Sequence, residues 1–450
     1  MDLLIALLFW GVYLAVALLI IAAGLSIVLY FKPFRFASVS TIFSTLQIYT
    51  FPVGGIFFSL SFISGIFSIK SLLNIPKVKI PWVYAFIVLE LIRLISIAWS
   101  PNPVEGIRYV LYEIVFLNVA LAFAFSTEIK QSTVEKVIKL SLLLVSVNGI
   151  LIVLFRVTPS IEFGFLRSAV SQFFISKNVL NDFLYVSPNN VYSPDKAGGF
   201  FVNANVAAAL TGFAAVASWY FAKAVNSQLL KLNAIFLFVV VFFAGSKAAI
   251  MMAVGMPFLM IFIDLFFSKR SSIGSALLII GFLIFSFIAI LIVKYFLAGS
   301  SFGDATASTF DDRIVMWQFA LDQFIKHPIQ GLGFGGWAIE SAGYAYLNGY
   351  RSNLPAHNAF LIIWNQSGFF ALIAALYFTV SYLRFFLKKL SLPNEKVVLV
   401  AKAVLAGSIW VFIQAQGENF GLIGEAHITP LMAMLVGYSL RQQFIKDNEL

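Results

Sequence analysis

Leu3 to Leu29 runs without a charged residue, longer than the roughly 20 apolar residues needed to cross bilayer hydrocarbon. Similar runs recur along the chain, and in lipid every backbone amide must find its partner internally, which leaves helices and closed barrels as the possible spans. Long uninterrupted apolar runs, without the alternation a barrel strand needs, select helices. Composition agrees, with 61% hydrophobic and 11% charged residues and a mean hydropathy of +0.94, where soluble domains carry about one quarter charged residues. Cysteine is absent, which excludes disulfides, iron–sulfur clusters and thiolate metal sites. Residues 1–30 lack a basic leader and a small-residue cleavage signal, so this run is expected to be a retained first span.

Reading apolar runs between polar breaks predicts an all-α integral membrane protein, a single polytopic domain over residues 1–450 with about twelve transmembrane helices. They fall near 3–30, 51–69, 81–99, 108–126, 137–156, 200–221, 230–245, 248–267, 272–296, 358–386, 397–414 and 425–440. Within 32–50, the stretch Phe36 to Thr50 is open to a second reading as a short or re-entrant helix. Two long stretches rich in Ser, Asn, Gly and Pro, 157–198 and 298–356, favour turns over spans, and the second is expected to contain amphipathic helices. Short loops on one side carry 17 Lys and Arg residues, while those on the other hold only Lys32, Arg35, Arg108 and Lys247. The positive-inside rule then puts both termini in the cytoplasm and both long loops outside. The net charge of +10 is thus a topology signal, and no clustered basic face points to nucleic acid.

The outer segments hold the polar chemistry. Asp311-Asp312-Arg313 opens a stretch with apolar residues at 314, 317, 321, 324 and 325, the spacing of an amphipathic helix on the membrane face, with Asp311 and Asp312 placed as N-caps. This helix is predicted to stop at His327-Pro328. Gly331, Gly333, Gly335 and Gly336 follow, and because no strand precedes them they do not make a nucleotide-binding loop. His357-Asn358 sits where the outer loop turns into the tenth span, Asn203 and Asn205 open the sixth, and Lys247 lies in the tight turn between the seventh and eighth. Each has a bland reading as well. Arg313 could pair with Asp311 or Asp312, Lys247 could snorkel, and His357 could anchor the loop at the interface. Glu90 and Arg93 are expected to neutralise one another on one face of the third span, and His327 is expected to be structural.

Taken in order, Asn203/Asn205, Lys247, Arg313 with Trp317, His327 to Gly333, and His357-Asn358 resemble the O-antigen ligase superfamily, which includes O-antigen polymerases and related lipid-linked glycan transferases. The resemblance covers roughly 199–375. This chain has Lys247 where the family usually has arginine, and Gln366 near where it often has glutamate.

The resemblance implies a multi-pass protein of the bacterial inner membrane that moves a glycan from an undecaprenyl-diphosphate carrier to an acceptor sugar hydroxyl at the periplasmic face. The acceptor would be lipid A core for a ligase, or a second lipid-linked glycan for an O-antigen or exopolysaccharide polymerase. A lipid-linked oligosaccharide flippase is the alternative from another class, and it should keep its polar groups near the bilayer midplane. For the enzyme, Arg313 and Lys247 would stabilise the departing diphosphate, and His357 would be the general base. Asn203, Asn205, Asn358 and Trp317 would bind substrate. A single displacement would invert the anomeric centre. No metal or other cofactor is expected, since the sequence has no His pair at ligand spacing and no early acidic pair in an outer loop.

Overall fold

The protein is described from a computed structural model covering residues 31–53, 56–175, 180–181, 195–266, 301–347, 356–418 and 420–447. Its helices are α1 (Pro33–Phe43), α2 (Leu60–Phe67), α3 (Pro81–Ser96), α4 (Pro103–Phe125), α5 (Gln131–Val157), α6 (Pro159–Arg167), α7 (Ala204–Ala224), α8 (Gln228–Ala244) and α9 (Lys247–Phe266). After them come α10 (Ser301–Lys326), α11 (Trp337–Leu347), α12 (Ala359–Lys389), α13 (Glu395–Gln414) and α14 (Ile428–Asp447). Among the described residues, seven helical segments are long and apolar enough to cross a membrane: α3 with the turn after it, α4, α5, α7, α9, α12 and α13. The expected spans 3–30 and 272–296 lie outside the described residues.

One expected span takes another form. The run 51–69 is an antiparallel hairpin, β1 (Tyr49–Val53) with β2 (Ile56–Ser59), followed by the short helix α2. Pro52 interrupts helix propagation there, and Ser59 then caps α2 by accepting from the Phe62 amide. The stretch 32–50 contains α1, the short helix of the alternative reading. Asp311 and Asp312 are not caps, because α10 already begins at Ser301 and passes through them. The helix does end at Lys326, before His327-Pro328, as the proline requires.

The core is a layer of helices around α7, which packs against α8 and α13, while α4 packs on α14 and α3 on α12. Small residues permit this closeness, as they do in membrane bundles generally. A Cβ at Gly212 of α7 would lie 1.9 Å from the Trp410 ring of α13.

The longest helix among the described residues, α12, is broken within its length. At Gly368, α12 adopts φ 79° and ψ −175°, which frees carbonyls and an amide inside an apolar bundle. The segment after His327-Pro328 fills the break. Leu332 and Gly333 donate to the carbonyls of Asn365 and Gln366, both at 2.9 Å, and Phe369 donates to the Pro328 carbonyl at 2.9 Å. Irregular backbone at such depth persists where protein groups satisfy it. Gly331, Gly333 and Gly335 all have positive φ, and a Cβ at Gly333 would stand 2.4 Å from the Ser100 Cα. The glycine run is therefore a backbone plug.

The bundle has two chemically distinct ends. At one, Asp264 near the end of α9 pairs with Lys223 at the end of α7 (3.3 Å) and Lys402 (2.6 Å), while Glu135 pairs with Lys396 (2.7 Å). This is the end assigned to the cytoplasm by charge counting. At the other end lie the starts of α7, α9 and α12, and the chain leaving α13.

Candidate active site

Three helix starts meet at that second end. Asn203 caps α7, accepting from the amides of Asn205 (2.9 Å) and Val206 (3.4 Å). Asn358 caps α12, accepting from Leu361 at 3.0 Å. Such caps are worth about 1 kcal/mol each, and they occupy the carbonyl oxygens that the sequence reading reserved for substrate. Lys247 starts α9 directly after the turn at Gly245, whose φ of 78° ends α8. The chain at Asp195–Ala197 is laid over this turn: Ala197 donates to the Ala244 carbonyl at 3.2 Å, and a Cβ at Gly245 would meet the Asp195 carbonyl at 1.8 Å. That contact brings Lys196 beside Lys247.

His357 is held from both sides. The Trp317 indole N–H donates to the Ala356 carbonyl at 2.7 Å, and the Ala359 amide donates to the Ala415 carbonyl at 2.9 Å. Between them His357 takes φ 47°, a left-handed backbone that is uncommon outside glycine and is tolerated where neighbours fix it. Trp317 thus positions the histidine loop, in a small apolar cluster with Met316, Phe319 and Trp337.

Facing His357 is Glu418, on the chain leaving α13. Its Oε2 lies 3.9 Å from His357 Nδ1 and accepts a hydrogen bond from Asn205 Nδ2 at 2.8 Å. Nδ1 has no hydrogen-bond partner of its own. Arg313, from α10, reaches the same loop and donates from Nη2 to the Gly417 carbonyl at 2.6 Å. Burial, reinforced by the charge of Arg313, pushes His357 down to about 4. Burial raises Glu418 to about 7, against the pull of Arg313, Lys196 and the Asn205 hydrogen bond. Lys247 in turn feels the charges of Lys196, Asp195 and Arg313. Arg313 is thus within electrostatic reach of both His357 and Lys247.

Residues 232–376 match the family model described as O-antigen ligase. This segment is similar to the O-antigen ligase family. The match contains Lys247, Arg313, Trp317, the glycine plug and His357-Asn358, and it overlaps the 199–375 stretch from residue 232 to its end. No curated protein matches the chain.

Several residues around the matched segment were not singled out from sequence. Glu418 lies in the polar, glycine-containing break Gln416–Gly421 between the last two helices; a carboxylate in a short outer loop was the available signal. Lys196 lies at the end of the 157–198 stretch, for which sequence offered no residue-level role. Glu90 and Arg93 do pair, at 2.8 Å, but Arg93 also pairs with Glu113 of α4, a partner on another helix. His327 donates its amide to the Gln323 carbonyl at 2.9 Å and closes α10. His427 is buried against Phe201, with ring centroids 4.8 Å apart.

Proposed function

We propose that this protein transfers a glycan from an undecaprenyl-diphosphate carrier to an acceptor sugar hydroxyl at the periplasmic face of the bacterial inner membrane, as an O-antigen ligase with lipid A core as acceptor. One observation carries the reading: Lys196, Lys247 and Arg313 gather at a single end of the bundle around a His357–Glu418 pair. A flippase would be expected to hold its polar groups near mid-bundle, whereas Lys247 and His357 stand at helix starts, Lys196 before α7 and Glu418 after α13, and Arg313 reaches that last loop through Gly417.

In the proposed step the acceptor oxygen attacks the anomeric carbon, a new C–O bond forms, and the bond to the diphosphate oxygen breaks with its electron pair leaving on the diphosphate. Fixed cations stabilise that developing charge, an effect worth about 10²–10³ in rate per donor at comparable sites. Arg313 and Lys247 hold the diphosphate, and Lys196 adds a third positive charge. The acceptor proton passes to His357, and ionised Glu418 stabilises the imidazolium that results. One displacement with one base inverts the anomeric centre, and the chain's own cations fill the role that a divalent metal plays in other glycosyltransferases.

The test is purified protein with an undecaprenyl-diphosphate glycan donor, offered either lipid A core or a second donor molecule as acceptor. Transfer to lipid A core is the expected result. Extension of the second donor instead would make the protein a polymerase, and loss of donor without transfer in either arm would overturn the reading. His357→Ala should abolish transfer while the protein still binds donor.

A further inference from the structure

Beside this site a cavity of about 170 Å³ opens between α3, α4, α11 and α12. Its wall includes Ala359, two residues past His357, and Gly421, three past Glu418, so it is walled in part by the two segments that carry the reacting groups. Its polar lining comes from Glu105 and Glu113 of α4, Arg93 of α3 and Gln366 of α12, and its apolar lining includes Phe334 and Trp337. From Glu105 to Glu113 the lining descends about 12 Å along α4, at 1.5 Å per residue.

The arrangement is built, since no single cluster accounts for it. The Arg93 side chain is 3% exposed and pairs with Glu90 and Glu113, with its guanidinium 5.0 Å over the Phe334 ring, yet its Nε has no hydrogen-bond partner. Gln366 Oε1 accepts the Gly335 amide at 2.7 Å, which fixes the loop carrying Phe334 and Trp337. The cavity therefore offers carboxylate oxygens, a buried guanidinium and aromatic faces. Each carboxylate is ion-paired, Glu113 with Arg93 and Glu105 with Arg108, so the lining has no unpaired cation to draw a phosphate. Sugar hydroxyls, which donate and accept, suit the polar groups, and the C–H face of a pyranose suits an aromatic ring. The volume is below the roughly 300–1,000 Å³ of drug-sized pockets, which fits a terminal sugar unit.

We infer that this cavity is the acceptor subsite, in which Glu113, Arg93 and Trp337 hold the terminal sugar of the acceptor with a hydroxyl turned toward His357. The inference rests on the glycan-transfer reading and adds the acceptor's place to it. Two variants test it with lipid A core as the varied acceptor and undecaprenyl-diphosphate glycan as donor. Ala338→Trp obstructs the rim from an exposed helix position, leaving every ion pair intact; Glu113→Gln removes a carboxylate from the wall. Both should raise the acceptor KM by about tenfold or more, the scale of one lost binding contact, with the donor KM unchanged. An unchanged acceptor KM in Ala338→Trp, or a rise in donor KM instead, overturns the assignment even if Glu113→Gln fails to fold. Wild-type protein that transfers to neither acceptor would fail the underlying reading, a result separate from either of these.

Discussion

Because Glu418 is raised to about 7 and His357 lowered to about 4, the two alternatives for the base predict different pH profiles. A histidine acting alone with that value is fully deprotonated throughout pH 6–8, so the rate should be flat there, and so weak a base would pull a sugar proton poorly. With ionised Glu418 at 3.9 Å, the imidazolium gains a counter-charge and His357 becomes a stronger base. The active form is then the one with Glu418 ionised, about one tenth of molecules at pH 6 and about nine tenths at pH 8 for a group titrating near 7. The proposed enzyme should therefore show kcat/KM rising roughly tenfold between pH 6 and pH 8. The assay is transfer by purified protein at saturating acceptor across that interval, for wild type and Glu418→Gln. The variant should lose the pH limb and most of the rate. A flat wild-type profile, or an unaltered limb in Glu418→Gln, would refute the role given to Glu418.

Lys247→Arg should keep transfer and Lys247→Ala should lose it by about 10²-fold, as should Arg313→Ala, if fixed positive charge on the diphosphate is what these residues supply; single-turnover donor cleavage measures this. Trp317→Phe leaves the Ala356 carbonyl without its 2.7 Å donor, a loss of about 1–3 kcal/mol for a buried group; kcat should fall with donor KM nearly constant, because only the His357 loop is disturbed. Gly335→Ala puts a Cβ 2.4 Å from the Gly106 amide nitrogen at a φ of +94°, so the thermal midpoint should drop, and an unchanged midpoint would mean the plug is loosely seated. For Glu418, whose folded-state value exceeds its unfolded one, the associated stability is complete below about 4.5 and is lost as pH rises through about 7; melting curves of Glu418→Gln should lack that loss.

The helices could be read from sequence because lipid imposes one rule on every span: apolar side chains and self-satisfied backbone. The bounds of α4, α7 and α13 follow from that rule and from Asn102, Asn203 and Asn394 as caps. It fails where backbone needs are met from elsewhere in the chain. Gly368 looks like a tolerated glycine in a long apolar run, and only the plug formed by 328–333 explains why the helix can break there. Likewise the charge of Arg93 was balanced on paper by Glu90, three residues away, while its second partner comes from α4. Local spacing reveals pairs on one helix, and pairs between helices depend on packing that no short motif encodes.

The same limit explains the site. Lys247, Arg313 and His357 stand in recurring motifs, so sequence order pointed to them. Glu418 and Lys196 stand in loops without such motifs, and their place is set by the Ala415 carbonyl that ties the α13 exit to α12 and by the Gly245 turn beneath Asp195. Together these ties divide the polar end of the bundle by charge. Lys196, Lys247 and Arg313 gather near the start of α9 and the exit of α13, where an anionic carrier would be drawn, and Glu105 and Glu113, each ion-paired to an arginine, line the cavity along α4. An enzyme that must tell a charged donor from a sugar acceptor, when both arrive as lipids from the same leaflet, needs such a division, because the membrane itself orients both molecules alike. His357 stands beside Glu418 and Arg313, and two residues further on Ala359 enters the cavity wall, so one short stretch of chain links the cation cluster to the cavity.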